Sequence, residues 1–238
     1  MAHPDDAEIL CGGTLTLLSR RGWRVHVATM TAGDCGSAEH SAAEISRIRR
    51  REAANAAERL GGTYHCLDVG DLNVFHDAPT QRAVTRLFRT VRPSLVLTHS
   101  PVDYHLDHEA TSRLARAACF AAPVPLYDAD LGQATLEHVP HLYYCDPVEG
   151  KDALGADVTP TTVIDVSRVI DEKTGLLACH ASQRNWLLKH HGVDEYLSAM
   201  RRWSADRGRA YGFEFAEGFR QHLGHGFPQD DLLRAVLA

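Results

Sequence analysis

Short apolar or alternating runs, each followed by a stretch with helical spacing, recur through the first half of the chain. Gly12-Gly13 opens a short helix over Thr14–Arg21 that carries Leu15, Leu17 and Leu18, and Gly22 closes it. Arg24–Thr31 (RVHVATMT) is β-branched enough for a strand, and 32–37 must be a loop. From Ser41 to Leu60 the apolar positions Ile45, Ile48, Ala53, Ala56 and Leu60 keep helical spacing, with Ser41 and Glu44 in capping-box register. Arg47, Arg49, Arg50 and Arg51 fall on that helix and read as a solvated face. Strands follow at Tyr64–Val69 and Ser94–Thr98, helices at Thr80–Val91 and Glu109–Ala121, then strands at His141–Cys145 and Thr162–Val166 and a helix at Val169–Gln183. This alternation predicts an α/β fold of three layers, Rossmann-like and doubly wound on a mostly parallel sheet, with ligands at the carboxyl ends of the strands.

The polar segment 146–160 resembles a linker, but the expectation is a surface loop inside a single domain spanning 1–238. Trp186, Trp203, Tyr211, Phe213, Phe215 and Phe219 concentrate the aromatic content in the last third and are expected to be mostly core. With 238 residues, 44% hydrophobic and 24% charged, the chain has the make-up of a globular protein. A net charge of −6 provides no basic footprint for nucleic acid. No apolar run is long enough for a membrane span, and Asp5, Asp6 and Glu8 contradict a secretory leader, so a cytoplasmic location is expected. The six cysteines are scattered without a C-x-x-C and read as buried thiols.

Chemistry concentrates in two segments, His3-Pro4-Asp5-Asp6 and Asp103-Tyr104-His105-Leu106-Asp107-His108. Each lies where a strand should give way to a helix, and in a parallel sheet two such loops can meet at one crevice. A histidine beside an aspartate is common at helix starts, so either segment alone reads as structural. Together they offer two imidazoles and a carboxylate, His3, Asp6 and His108, a set suited to catalytic zinc. Pro4 fixes a turn that sends the two adjacent carboxylates different ways, leaving Asp5 free to take a proton from water.

The stretches AHPDDAEILCGGTL (2–15), HSPVDYHLDHEAT (99–111) and ACHASQ (178–183) resemble the LmbE/PIG-L-type zinc-dependent N-acetylglucosaminyl deacetylases. The resemblance extends from Ala2 to about Leu223. It implies a Rossmann-like hydrolase that removes an acetyl group from an N-acetylated amino sugar conjugate. The same resemblance implies His3, Asp6 and His108 as ligands of Zn²⁺, with Fe²⁺ as the alternative metal, and Asp5 as general base. His105, protonated, would stabilise the tetrahedral intermediate, with Tyr104 assisting at the oxyanion. Arg49 and Asp71 match substrate-contacting positions; an exposed helix arginine and an ordinary loop aspartate are the competing readings. His180 sits in a family motif, where a structural hydrogen-bonding role is expected. Implied partners are a small-molecule amino sugar conjugate and, because relatives are often oligomers, further copies of the chain; nucleic acid and membrane are not among them.

Two departures from the family pattern stand out. Leu106 replaces the proline common in H-x-D-H. Relatives also place a short apolar strand ahead of AHPDD, where this chain has only Met1 and Ala2. Either the chain begins late or the sheet carries an unfilled central slot. The cost of facing unpaired strand edges, about 1–3 kcal/mol for each buried unsatisfied group, favours the first expectation. Competing functions are an amidase acting on a sugar-linked thiol conjugate and a non-catalytic zinc or carbohydrate-binding module, the latter disfavoured by the intact Asp5. A nucleotide-binding site would need G-x-G-x-x-G, which Gly12-Gly13 lacks.

Overall fold

A computed structural model describes residues 1–129, 132–191 and 195–237. In chain order the elements are α1 (Asp6–Arg20), β1 (His26–Thr31), α2 (Ala42–Arg59), β2 (Thr63–Val69), α3 (Ala78–Val91), β3 (Leu95–Thr98), α4 (Leu106–Ala121), β4 (His141–Cys145), β5 (Thr162–Asp165), α5 (Ile170–Leu177), α6 (Ala181–His191), α7 (Tyr196–Tyr211), β6 (Ala216–Gln221) and α8 (Leu232–Leu237). The capping box on α2 is present, with Ser41 and Glu44 bonded reciprocally. In α3, Asp77 caps the amino end through Thr80.

Helices cover both faces of the strands. Val27 of β1 and Val25 just ahead of it pack with Ala7 of α1, Ala57 and Leu60 at the end of α2, and Leu176 of α5. Met30, on the opposite face, packs with Val84 of α3 and Leu114 and Ala118 of α4. The same alternation holds on β4, where Tyr143 and Cys145 face Cys11 and Leu18 of α1 while Leu142 and Tyr144 face Cys119 of α4. A three-layer α/β arrangement therefore stands.

The expectation of a mostly parallel sheet needs correction. β1 and β2 form one parallel pair, and β3-β4-β6-β5 form a second sheet in which β3–β4 is parallel but β6 runs antiparallel to both β4 and β5. No alternating pattern announces β6, because its buried positions include Glu217 and Gly218. Glu217 has a specific task there. α1 breaks at Cys11 (φ −144°, ψ 16°), which leaves the amides of a restarted helix without intrahelical partners. Gly13 and Thr14 donate to the Glu217 carboxylate at 2.8 and 2.7 Å, and Lys173 pairs with it at 2.7 Å. The short helix expected from Thr14 is thus the second half of α1, whose first half begins at Asp6. Gly13 is required by contact as well, since a Cβ there would lie 2.7 Å from Val166.

Other differences are local. The helix expected over Val169–Gln183 is two, α5 and α6, interrupted just ahead of Ala181 at the buried His180. α4 starts at Leu106 because His105 caps it. All six cysteines are free as expected, but Cys35 is exposed, and Cys66 and Cys179 are half-buried. Among the C-terminal aromatics only Phe219 is fully buried, while Tyr211 and Phe213 are exposed. No helix among the described residues is long and apolar enough to cross a membrane.

Between β1 and β3 lies a slot. Met1 bonds Ala28 and Met30 of β1, Ala2 accepts from Thr31, and the Ala2 amide donates to His99, directly after β3. Behind these two residues is a cavity of about 280 Å³ bordered by β1, β3, α1, α3 and α4. Its walls are mainly apolar and include Leu15, Val27, Phe88 and Leu97.

Candidate metal centre

The two motif segments meet at the open end of this slot. Asp5 has φ 99°, in the left-handed region that a non-glycine residue avoids, and this tight turn separates two neighbouring carboxylates. Asp6 turns back over the His3 amide (2.7 Å) and toward His99 Nε2 (3.1 Å) and His108 Nε2 (3.5 Å). Asp5 turns away, accepting from the Tyr196 hydroxyl at 2.6 Å, with Arg49 at 3.8 Å.

His3, Asp6 and His108 each offer a ligand atom within 4.8 Å of the others. Their orientation fits a metal. His3 Nε2 is bonded to Asp107 (3.1 Å), which leaves Nδ1 facing Asp6, and His108 Nδ1 is bonded to Asp103 (3.0 Å), which leaves Nε2 facing Asp6. Each imidazole is thereby backed by a carboxylate that sets its tautomer, the usual outer arrangement around a metal-ligating histidine. The buried carboxylates of Asp5, Asp6, Asp103 and Asp107 outnumber the nearby fixed cations, an imbalance a divalent ion would offset.

Protonation follows from this packing. Burial opposes charge on His3, but hydrogen bonds to Asp107 and Asp6 prevail and raise its pKa to about 10. For Asp6, burial is outweighed by His108 and by the hydrogen bond with His3, which hold the carboxyl well below its ordinary range. Burial raises the Asp5 carboxyl, with Arg49 opposing. Burial and the neighbouring His108 lower His99 to about 4.

His105 was expected to act protonated. Burial and the charges of His3 and His108 lower its pKa. Its Nδ1 accepts the Asp107 amide at 3.2 Å, which puts the ring proton on Nε2 and leaves that atom a donor without a positive charge. Its ring lies 4.8 Å from His3 and 4.9 Å from His108. Tyr104 stands at the mouth, with its ring 5.5 Å from His108.

Arg49 is not on the solvated face of α2. It is buried beneath the turn, donating to Pro4 O (2.9 Å) and Gly33 O (3.5 Å), and a Cβ on Gly33 would strike its guanidinium. Asp71 is buried in the next loop, where it accepts from the Cys35 amide at 2.9 Å. His180 lies behind Asp5 with Nε2 3.4 Å from Glu8, so both are part of the buried support of the turn. Tyr196 was not singled out in the sequence, and His99, Asp103 and Asp107 were quoted within their segment without a role. Asp103 and Asp107 could have been given one, since a ligating histidine needs a partner for its second nitrogen. Tyr196 carries no local signal at all.

With this geometry in place, the family described as PIG-L: GlcNAc-PI de-N-acetylase matches residues 1–119, half of the chain and both motif segments. The chain belongs to the PIG-L family. It is 29% identical over 192 residues to the 4-oxalmesaconate hydratase of Pseudomonas putida, covering 77% of this chain and 72% of that protein. Identity is also 29% over 229 residues to the diacetylchitobiose deacetylase of Thermococcus kodakarensis, covering 92% and 79%. Among solved structures, the N,N'-diacetylchitobiose deacetylase from Pyrococcus horikoshii superposes with a TM-score of 0.79 at 25% identity, over 97% of this chain and 85% of that one. This PIG-L chain is thus similar both to deacetylases and to a hydratase.

Proposed function

We propose that this chain, as one domain spanning 1–238, is a metal-dependent deacetylase that hydrolyses the acetamide of an N-acetylglucosamine-type conjugate. The observation that carries the reading is a carboxylate, Asp5, held beside the His3, Asp6 and His108 donor set but engaged elsewhere, with Tyr196 and Arg49. A divalent ion at that set, with Zn²⁺ favoured by its two imidazoles and one carboxylate, supplies Lewis acidity toward an amide carbonyl and makes water more acidic. The chain's own groups do the rest. Tyr196 and Arg49 engage one oxygen of Asp5, and the other takes a proton from the attacking water. Burial makes this carboxylate more basic than an exposed one, which favours the transfer. His105 Nε2–H donates to the carbonyl oxygen as negative charge builds on it, with the Tyr104 hydroxyl as a second donor. The leaving amine recovers its proton from Asp5. Asp71 and Arg49 border the same floor, Asp71 as a contact for sugar hydroxyls and Arg49 through the Pro4 carbonyl it holds.

Hydration of an unsaturated polycarboxylate, the chemistry suggested by the hydratase relative's name, needs cations to receive the substrate. Loops 32–40, 70–76 and 101–107 contain no lysine or arginine and carry Asp34, Glu39, Asp71, Asp103 and Asp107. Of these carboxylates Asp71, Asp103 and Asp107 are buried, and Glu39 pairs with Lys189 of α6, so the three loops themselves offer no cation to a polycarboxylate and leave a neutral sugar amide as the favoured reading. N-acetylglucosamine conjugates, thiol-conjugate amides and unsaturated dicarboxylates should be assayed together, with and without chelator. Amine release from the acetylated sugars, abolished by chelator, is expected, and hydration alone would overturn the reading. Asp5→Asn should keep its metal and lose deacetylation by several orders of magnitude; turnover near wild type would remove Asp5 as the base.

A further inference from the structure

Two loops frame the mouth of the site, 70–76 between β2 and α3 and 99–105 between β3 and α4. They are moored together, because the Leu72 amide donates to Asp107 Oδ2 at 2.8 Å, the same oxygen that holds His3. The rim built on this mooring is apolar and open. Leu106 is 78% exposed, Leu72 65%, Tyr104 64% and Phe75 60%. Their exposure brings nothing to the core. Leu72 even holds φ 62°, a left-handed backbone that leucine adopts at a cost, and it does so with its side chain in solvent. Exposed apolar side chains on the segments that flank a reaction site, one of them on backbone hydrogen-bonded to Asp107, form a surface for a ligand.

We propose that the substrate carries, joined to its N-acetyl amino sugar, an apolar or aromatic group that seats on Leu72, Phe75 and Leu106. This rests on the deacetylase reading, and the test separates the two. Methyl, octyl and benzyl N-acetylglucosaminides are compared on the metal-loaded enzyme. kcat/KM should rise about tenfold or more from methyl to octyl or benzyl, mostly through KM, since burying a few methylenes accounts for that much. Phe75→Ser and Leu106→Ser should erase the preference while leaving turnover of the methyl glycoside within about twofold, because uniform binding is what they remove. The same glycosides are titrated calorimetrically against metal-loaded Asp5→Asn, which needs no turnover. Equal binding of methyl and octyl glycosides, or a preference that survives both rim substitutions, overturns the proposal. So does a change of oligomeric state in the rim variants with the preference intact, which would make the rim a contact with a second copy. Tighter binding of the octyl glycoside without deacetylation of any glycoside supports the rim and overturns only the deacetylase reading.

Discussion

His3 is the residue on which binding and protonation meet. Without metal it keeps its proton to about pH 10, because hydrogen bonds to Asp107 and Asp6 outweigh burial. A metal at Nδ1 must displace that proton, so at pH 7.5 zinc binding should release about one proton from His3, and apparent affinity should rise about tenfold per pH unit below 10. Calorimetry in buffers of different ionisation enthalpy measures this directly. Asp107→Asn removes the first of the two carboxylates holding the proton, so proton release from His3 at pH 7.5 should fall and the pH dependence of metal affinity should flatten. An unchanged proton count would show that Asp107 does not govern His3. The sign for stability is opposite to that for affinity. The His3 contribution to the metal-free fold is complete below its unfolded pKa near 6.5 and disappears as pH rises to about 10. Much of this site was legible in the sequence, since a dense ligand motif places His3, Asp5, Asp6 and His108 without knowledge of packing. What escaped was contact between distant residues: Tyr196 reaches Asp5 across 191 positions, and Arg49, read either as a substrate contact or as an exposed helix arginine, is instead buried beneath the turn.

At the scale of elements, the broken helix α1 ties the site to the far sheet. Its second half is capped by Glu217 of β6, and Lys173 of α5 neutralises that carboxylate, both side chains being almost fully buried. Removing one partner leaves a buried charge and, for Glu217, two unsatisfied amides as well. Glu217→Ala should therefore cost about 3–5 kcal/mol in urea unfolding, and Lys173→Met a comparable amount. The double change Lys173→Met with Glu217→Gln leaves no uncompensated charge and should recover part of the loss. If the double variant is no better than the sum of Lys173→Met and Glu217→Gln measured singly, Lys173 and Glu217 are not acting as a coupled pair. Elements with a local signal were readable in advance. The capping box of α2 and the apolar run of β3 appear close to their expected bounds, and His141–Cys145 appears at them. β6 and α1 were not, because a strand with a buried glutamate and a helix interrupted at Cys11 make sense only against each other. The split between α5 and α6 is of the same kind, set by the burial of His180 behind Asp5.

For the whole molecule the open question is how the β1–β2 pair is joined to the larger sheet. Leu95 and Leu97 of β3 turn their backbone groups away from β4, toward the slot, because Ser94 and the even-numbered positions face β4. Met1 and Ala2 are the only chain that bridges the gap at its open end among the described residues, and the α-ammonium of Met1 sits there bonded to Ala28 O at 2.7 Å. Burial lowers the pKa of this ammonium, a sign that charge is disfavoured in the position. An added peptide bond at Met1 would keep the hydrogen bond to Ala28 and remove the charge. Chain extended from that point would enter a cavity of about 280 Å³ with apolar walls and unpaired strand edges on both sides. Adding about five β-branched apolar residues ahead of Met1 should therefore lay a parallel strand between β1 and β3. Each kcal/mol gained moves Tm by about 2–4 °C in a chain of this size, so a rise of several degrees is expected. A Gly/Ser extension of equal length is the control and should give little beyond the loss of the terminal charge. Metal affinity should rise with the apolar extension too, because His3 follows Met1 and Ala2 directly and a filled slot would fix its approach to Asp6 and His108. Equal Tm and equal metal affinity for the two extensions would mean that the slot does not accept a strand, and that Met1 and Ala2 alone are enough to hold the metal turn against the sheet.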